Sequence, residues 1–498
     1  MMADAGKPDL SRPRATARSL GEMAPDRHRF WDKHVLLTGE SAVLHASNGR
    51  WCIDVALRLL LKTCQHITVV LPPECGGLTD ELRTTAQKVA ESGSEVSFKE
   101  PGHELDGFDA ILSVGWKARP ELPWTVINSD GWLARVSSGV TDLSPKCGMA
   151  NPIAAMAAAC LGTAEVFKRL IGLRKSRGPF FDGLSFSLDT YQCHSPNPGA
   201  SLPMLPARDV TLFGAGAIGN GIVFLLRELG WTGRVDIVDR QDYGPENVGT
   251  CLLVGPSDVG QPKASWAAAI LRPAVKAYGH AESIEAFKAR LGAEIPYPSL
   301  ILCGLDNIEA RHFAQDLWPD IIIDGAIGPL ECQVSRHPWG EDMACLRCMF
   351  QPPREDADQL AGRATGLPFD RMHEGESLLS EDDVHRAPPD KRAFLSKRVG
   401  RPMCSVVQES VAQMLSDQRL REGFEPSVPF VACLSAAMIV AELVKTAAAM
   451  QSTLRPAFRF DVLQGPASGQ HLPMTRRRAC QCVERANNIN RWRRDRTG

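Results

Sequence analysis

Val210-Thr211-Leu212-Phe213-Gly214-Ala215-Gly216-Ala217-Ile218-Gly219 is the stretch that decides the fold. Four residues of strand character run into a glycine-rich turn, and the apolar spacing beyond it predicts a helix reaching Glu228. Such a corner binds phosphate. Glycine lets the turn close and lets backbone N–H groups approach an anion that the helix N-terminus then stabilises. Asp239 ends the next predicted strand, Val235–Val238, where a carboxylate can bond ribose hydroxyls. These residues point to a nucleotide. Alone they favour a dinucleotide oxidoreductase over other nucleotide enzymes, and the plain alternative is glycines that merely pack a helix on a sheet.

Outward from this corner, short β-branched runs alternate with helical patterns, which predicts α/β architecture with parallel sheets. Strands are expected at Leu300–Cys303 and Ile321–Asp324. The same rhythm occurs earlier, at Val35–Thr38, Ile67–Leu71, Glu95–Lys99, Asp109–Val114 and Thr125–Asn128, with helices over Arg50–Thr63 and Leu78–Ser92. Leu37, Val69, Leu112 and Ile127 match Phe213, Ile237, Leu302 and Ile322 in order. Each half closes on an Ala-rich apolar helix, Asn151–Leu170 and Pro429–Thr446. The chain therefore reads as two Rossmann-like domains forming a pseudo-dimer: a flexible arm over 1–30, a first domain over 31–195 and a second over 205–498. The second carries an insertion over 330–428. At the first domain's matching turn stands Gly39-Glu40-Ser41-Ala42-Val43-Leu44, where Glu40 would repel phosphate. Only the second half is expected to hold nucleotide.

Composition sets the outer bounds. The 498 residues are 44% hydrophobic and 23% charged, with a formal net charge of −2, an ordinary globular balance that disfavours obligate nucleic-acid binding. The apolar run Phe430–Ala441 is broken by Ser435 and closed by Glu442, short of the roughly 20 residues of a membrane span. The N-terminus has no apolar core of a secretory signal, so a cytoplasmic protein is expected. Fifteen cysteines in that setting suggest metal or thiol chemistry at a few positions and apolar packing at the rest.

The segments Asp239–Asn247, Val259-Gly260-Gln261-Pro262-Lys263-Ala264 and Cys303-Gly304-Leu305-Asp306-Asn307, in that order after Gly214–Gly219, resemble the adenylation domain of ubiquitin-activating enzymes and of bacterial enzymes that activate sulfur-carrier proteins. The resemblance implies an inactive and an active adenylation domain. It also implies ATP bound by Gly214, Gly216, Gly219 and Asp239, with Asn247 and Lys263 at the phosphates and Asp306 beside Mg2+ and the reacting carboxylate. A site where two anions meet needs such preplaced cations and donors. A surface role for Lys263 and a helix cap for Asp306 are the plain alternatives. One departure stands out: three residues after the motif asparagine the family carries arginine, but here Thr250 follows Asn247. Loss of one such donor elsewhere costs about 3–4 kcal/mol of transition-state stabilisation. Relatives take a further arginine from the partner domain, a role open to Arg27 or Arg29.

Cys345-x-x-Cys348 and Cys480-x-Cys482 suit a structural Zn2+, with His471 or another cysteine as an alternative ligand because relatives have Cys-x-x-Cys in the second pair. Two unrelated thiol pairs, or a redox pair at Cys345 and Cys348, would look similar. Cys404, in Arg401-Pro402-Met403-Cys404-Ser405, precedes an amphipathic pattern over Val406–Leu415, where a helix dipole favours thiolate. The motif resembles the signature around the thioester cysteine of ubiquitin-activating enzymes, although a buried structural cysteine would read the same way. The charged, Pro-rich segment before it suggests a crossing loop that guides a polypeptide tail. The basic C-terminus, Arg476–Arg478 and Arg491–Arg496, reads as a solvated tail or a docking surface rather than an RNA site. The expected reaction is adenylation of the C-terminal glycine of a ubiquitin-like protein, then a thioester on Cys404 for transfer to a conjugating enzyme. Similarity to bacterial conjugation systems suggests antiviral defence. The rivals are a sulfur-carrier adenylyltransferase without a thioester, a regulatory pseudoenzyme and a nicotinamide oxidoreductase.

Overall fold

Runs of Val, Ile and Leu too apolar for one exposed face form strands buried from both sides, and the chain builds two sheets from them. The computed structural model describes residues 11–496 except 92, 101, 103, 104, 106, 329, 341, 352–356, 373–376, 404, 405, 408 and 411–427. In the first sheet the strands are β1 (His34–Gly39), β2 (His66–Val70), β3 (Glu95–Lys99), β4 (Ala110–Val114), β5 (Trp124–Asp130), β6 (Leu133–Ser137) and β7 (Leu184–Ser187), in the order β3-β2-β1-β4-β5-β6-β7. The second contains β8 (Val210–Phe213), β9 (Val235–Val238), β10 (Ala277–His280), β11 (Leu300–Cys303), β12 (Ile321–Ile327), β13 (Glu331–Pro338), β14 (Ala457–Asp461) and β15 (Gln470–Leu472), in the order β10-β9-β8-β11-β12-β13-β14-β15. The first five strands of each are parallel, and the remainder add as antiparallel neighbours. Both sheets thus share the strand order 3-2-1-4-5 with an antiparallel extension, compatible with two Rossmann-like domains.

The two Ala-rich helices are the middle of the core. Pro152–Leu170 starts at Asn151, whose side chain accepts from Ile153 N at 3.0 Å; Pro429–Ala447 also starts with proline. Phe167 and Phe430 meet with ring centroids 5.7 Å apart. Each helix buries a Glu–Lys pair at the same distance from its first residue: Glu165 with Lys168, and Glu442 with Lys445. Lys168 Nζ donates to Pro179 O at 2.7 Å and Lys445 Nζ to Asp189 O at 2.6 Å. Two independent helices would not place paired charges in register by chance, so this repeat supports duplication of the whole domain. The apolar length of Pro429–Ala447 is spent inside the protein, where it is almost wholly buried.

Two expectations are corrected. Residues 11–30, expected to be flexible, include a helix at Ser11–Ser19 and bury Ala17, Leu20, Ala24 and Phe30 in the main core; two small alanines and one leucine carry little apolar signal in a polar, Pro-containing stretch. The segment expected as a crossing loop belongs to a separate compact unit, Gln351–Glu425. Its helices Ala357–Thr365, Phe369–Met372, Glu381–Arg386 and Pro389–Leu395 surround a small core of Leu367, Leu379, Ala387, Leu395, Met403 and Val406. Asp383 ties this unit together by accepting from Arg371, which holds its carboxyl far below the usual range.

Candidate nucleotide and metal sites

The crevice forms where chain direction across the sheet reverses. From β8 the chain moves to β9 on one side and later to β11 on the other, so the loops after these strands flank a gap. Gly214 N donates to Val238 O at 3.0 Å and Gly304 N to Phe213 O at 2.9 Å, which brings the three loops together. Gly214 has φ +88°, and a Cβ there would lie 2.7 Å from Gly304 O. At Gly219 a Cβ would come within 2.1 Å of Gly214 O, so this residue serves close packing. Gly216 differs: a Cβ would meet nothing within 4 Å. Its backbone faces open space, as a phosphate cradle requires.

Asp239 is locked to that turn. Its Oδ2 accepts from Ala215 N at 2.8 Å and its Oδ1 from Gln241 N at 2.9 Å. Gln241 in turn accepts through Oε1 from Lys263 Nζ at 2.8 Å, and its carbonyl takes Lys263 N at 2.9 Å. Lys263 is only 6% exposed, against the surface alternative. Tyr243 spans the same network, donating to Ala215 O at 3.0 Å beneath the lysine. Asn247 is buried and accepts from Gly244 N at 2.9 Å, so its side chain shapes the turn that carries it. Asp306 is exposed; the cap of the helix Ile308–Gln315 is Asn307, whose Oδ1 accepts from Ala310 N at 2.7 Å. The cap alternative thus belongs to the neighbouring residue.

Two residues not singled out in the sequence brace Asp306. Arg311 donates through Nη2 to Leu305 O at 2.6 Å and through Nε to Asp324 Oδ1 at 3.0 Å. Burial pushes the Asp324 carboxyl up to about 6 despite the guanidinium. The native state therefore holds a proton that the unfolded chain releases between about pH 4 and 6, so this group makes stability fall as pH rises across that window and adds no slope above it. Arg311→Met is expected to cost about 3–5 kcal/mol near pH 7.5, because it leaves Asp324 charged and unpaired. The loss should shrink below pH 6, where Asp324 can protonate; urea unfolding at pH 7.5 and 5 measures the difference. The only sequence signal was Asp324 at the end of an otherwise apolar strand.

Thr250 cannot replace the missing guanidinium. It is buried, with its hydroxyl 3.4 Å from the carbonyls of Glu246 and Asn247. Cations from three parts of the chain lie near this spot. Burial pushes the neighbouring Cys251 thiol up to about 11, while Lys263, Lys62 and Arg12 pull it down, which puts all three within electrostatic reach of this spot. Lys62 Nζ joins the halves, donating to Val89 O at 2.7 Å and Val254 O at 2.8 Å. Neither Arg27 nor Arg29 contacts the glycine turn among the described residues. Arg27 donates to Gly21 O at 2.8 Å in its own turn, and Arg29 is exposed. The expectation that one of them reaches the site is not met, because their segment is held at the end of the first Ala-rich helix by Asp26 N bonding Ile171 O.

The first half's crevice is filled from within. Glu40 Oε1 accepts from Trp116 N at 3.1 Å and Lys117 N at 3.0 Å, just beyond β4. Its carboxylate takes the N–H donors an anionic ligand would need.

Cys345, Cys348, Cys480 and Cys482 converge, buried, with all sulfurs within 4.8 Å. The closest pairs are 3.7 Å for Cys345–Cys348, 3.7 Å for Cys345–Cys480 and 3.5 Å for Cys348–Cys482. Four sulfurs about 2.3 Å from a tetrahedral ion lie roughly 3.8 Å apart, so the cluster could hold a metal ion. Arg477 N donates to Cys348 Sγ at 3.3 Å, as around a thiolate. His471 is elsewhere, on β15 against Phe458. Cys404 lies outside the described residues.

A ThiF family model matches residues 200–483, more than half of the chain. The chain belongs to the ThiF family. It is 26% identical over 460 residues to a Sinorhizobium fredii protein described as uncharacterized protein y4jF, covering 88% of this chain and 86% of that one. It is 30% identical over 162 residues to a Thermus thermophilus sulfur carrier protein adenylyltransferase, covering 30% of this chain and 58% of that protein.

Proposed function

We propose that the second half, 205–498, adenylates the C-terminal carboxylate of a small carrier protein, of the ubiquitin-like or sulfur-carrier kind, while the first half, 31–195, is an inactive adenylation-type domain that braces it. The observation that carries this reading is the open crevice at Gly216, walled by Asp239, by buried Lys263 and by the Asp306 loop. In the reaction the carrier's carboxylate oxygen attacks the α-phosphorus of ATP, the bond to the β-phosphate oxygen breaks, and acyl-adenylate and pyrophosphate result. Asp239 binds the ribose, Lys263 and Asn247 address the phosphates, and Asp306 is the carboxylate suited to Mg2+, which when bound offsets phosphate charge. Arg12 from the N-terminal helix supplies the guanidinium that Thr250 lacks. The four cysteines hold a structural Zn2+.

In the fuller form of the proposal, Cys404 Sγ attacks the acyl-adenylate carbonyl, AMP leaves, the thiol proton passes to solvent, and the thioester is handed to a conjugating enzyme. This sequence serves a cytoplasmic bacterial conjugation pathway, and antiviral defence is the role suggested for it. The relative named sulfur carrier protein adenylyltransferase favours a second reading that stops at the adenylate. Carrier-dependent ATP–pyrophosphate exchange tests the shared step; its absence with ubiquitin-like and sulfur-carrier proteins alike would leave a pseudoenzyme. Cys404→Ala separates the two readings. Exchange is expected to persist while a thiol-reducible carrier adduct disappears, and an adduct unaffected by the substitution would remove Cys404 from the pathway.

A further inference from the structure

Residues 471–498 carry eight arginines against Glu484 and Asp495, in a chain whose net charge is −2. This basic segment is built onto the protein rather than trailing from it. In the helix Ala486–Asp495, Ile489 is buried among the four cysteines, and Trp492 packs at the edge of that cluster. Arg493 Nη1 donates to Trp318 O at 2.8 Å, and Arg496 Nη1 reaches Leu317 O at 2.5 Å, so both neutralise the carbonyl end of the helix Ile308–Gln315. Other arginines of the segment stay in water. Arg478, Arg485 and Arg491 are exposed and make no ion pair among the described residues, and Val483 lies 41% exposed between them.

Like charges gathered on one short ordered segment repel one another, so their placement suits an external anion. The aromatic rings around the cysteine cluster are already occupied. Arg476 lies 5.0 Å over Trp339, while Trp492 packs against Tyr297 at 5.8 Å and Arg496 at 4.4 Å. That leaves no free ring for stacking a base. Arginines around an exposed aliphatic side chain have the texture of a protein interface. The surface also stands apart from the nucleotide crevice. Arg493 pairs with Asp320 at the entry to β12, whereas the crevice lies at the strands' exits, and the helix Ile308–Gln315 separates the two by about 12 Å.

We propose that this arginine face, over the cysteine cluster, docks an acidic surface of a second protein without covering the nucleotide crevice. The test uses the full chain with fluorescent 20-residue poly-glutamate and a 20-nucleotide single-stranded RNA as probes, in 150 mM salt. The triple variants Arg478→Glu/Arg485→Glu/Arg491→Glu and Arg478→Gln/Arg485→Gln/Arg491→Gln are compared after thermal melting shows both folded. Poly-glutamate should bind the unmodified protein more tightly than RNA does, and affinity should fall at least about tenfold in both variants, or 1.4 kcal/mol. Tighter RNA binding would overturn the proposal in favour of nucleic acid. No poly-glutamate binding, or equal binding by the variants, would overturn it outright.

Discussion

Lys263→Met is expected to lower carrier-dependent ATP–pyrophosphate exchange about 10²–10³-fold, the range for losing one preorganised donor to a charged transition state. The magnitude follows from what surrounds the lysine. A buried ammonium ordinarily has a carboxylate partner, yet among the described residues Lys263 has none. Its Nζ rests on the amide oxygen of Gln241. On the proposed reading the triphosphate is the anion that completes this lysine's surroundings. Gln241→Leu removes only the side-chain amide that holds Lys263 and keeps the backbone Gln241 N–H bond to Asp239, so it should lower exchange less than Lys263→Met does. If Lys263→Met retained full exchange, the buried cation would be structural and the placement of the phosphates wrong.

The second large effect concerns the cysteine cluster. Cys482→Ser, or exhaustive chelation, is expected to destabilise the protein by at least about 4 kcal/mol, since loss of a metal is among the few changes that reach this size. The cluster joins chain segments far apart in sequence, at Cys345–Cys348 and Cys480–Cys482, and the helix Ala486–Asp495 is seated on it. Urea unfolding with and without chelator, alongside metal analysis, checks this. Equal stability in both states would mean four reduced thiols and no ion.

The parallel strands other than β10 were legible because buried strands declare themselves as apolar runs, and the glycine corner because its spacing is steric; β10, Ala277–His280, is a half-exposed edge strand with no such run. Gly214 and Gly219 each exclude a Cβ. The antiparallel strands β6, β7, β13, β14 and β15 were not legible, since mixed polar sequences such as Glu331–Pro338 pair through long-range contacts that no local pattern encodes. The site followed the same division. Asp239 and Lys263 could be read from a motif, whereas Arg311 reaches Leu305 O and Asp324 only through tertiary packing. Glu40 was read as repelling phosphate; the structure adds that it takes the N–H groups beyond β4 for itself.

The central claim is that one half binds ATP and the other does not. Photolabelling the full chain with an azido-ATP analogue in Mg2+, followed by peptide mapping, tests it most directly. Labels are expected on peptides spanning residues 214–263 or 304–311, lost on adding excess ATP. Competed labels on the peptides around Glu40 and Trp116, with none in the second half, would contradict the account.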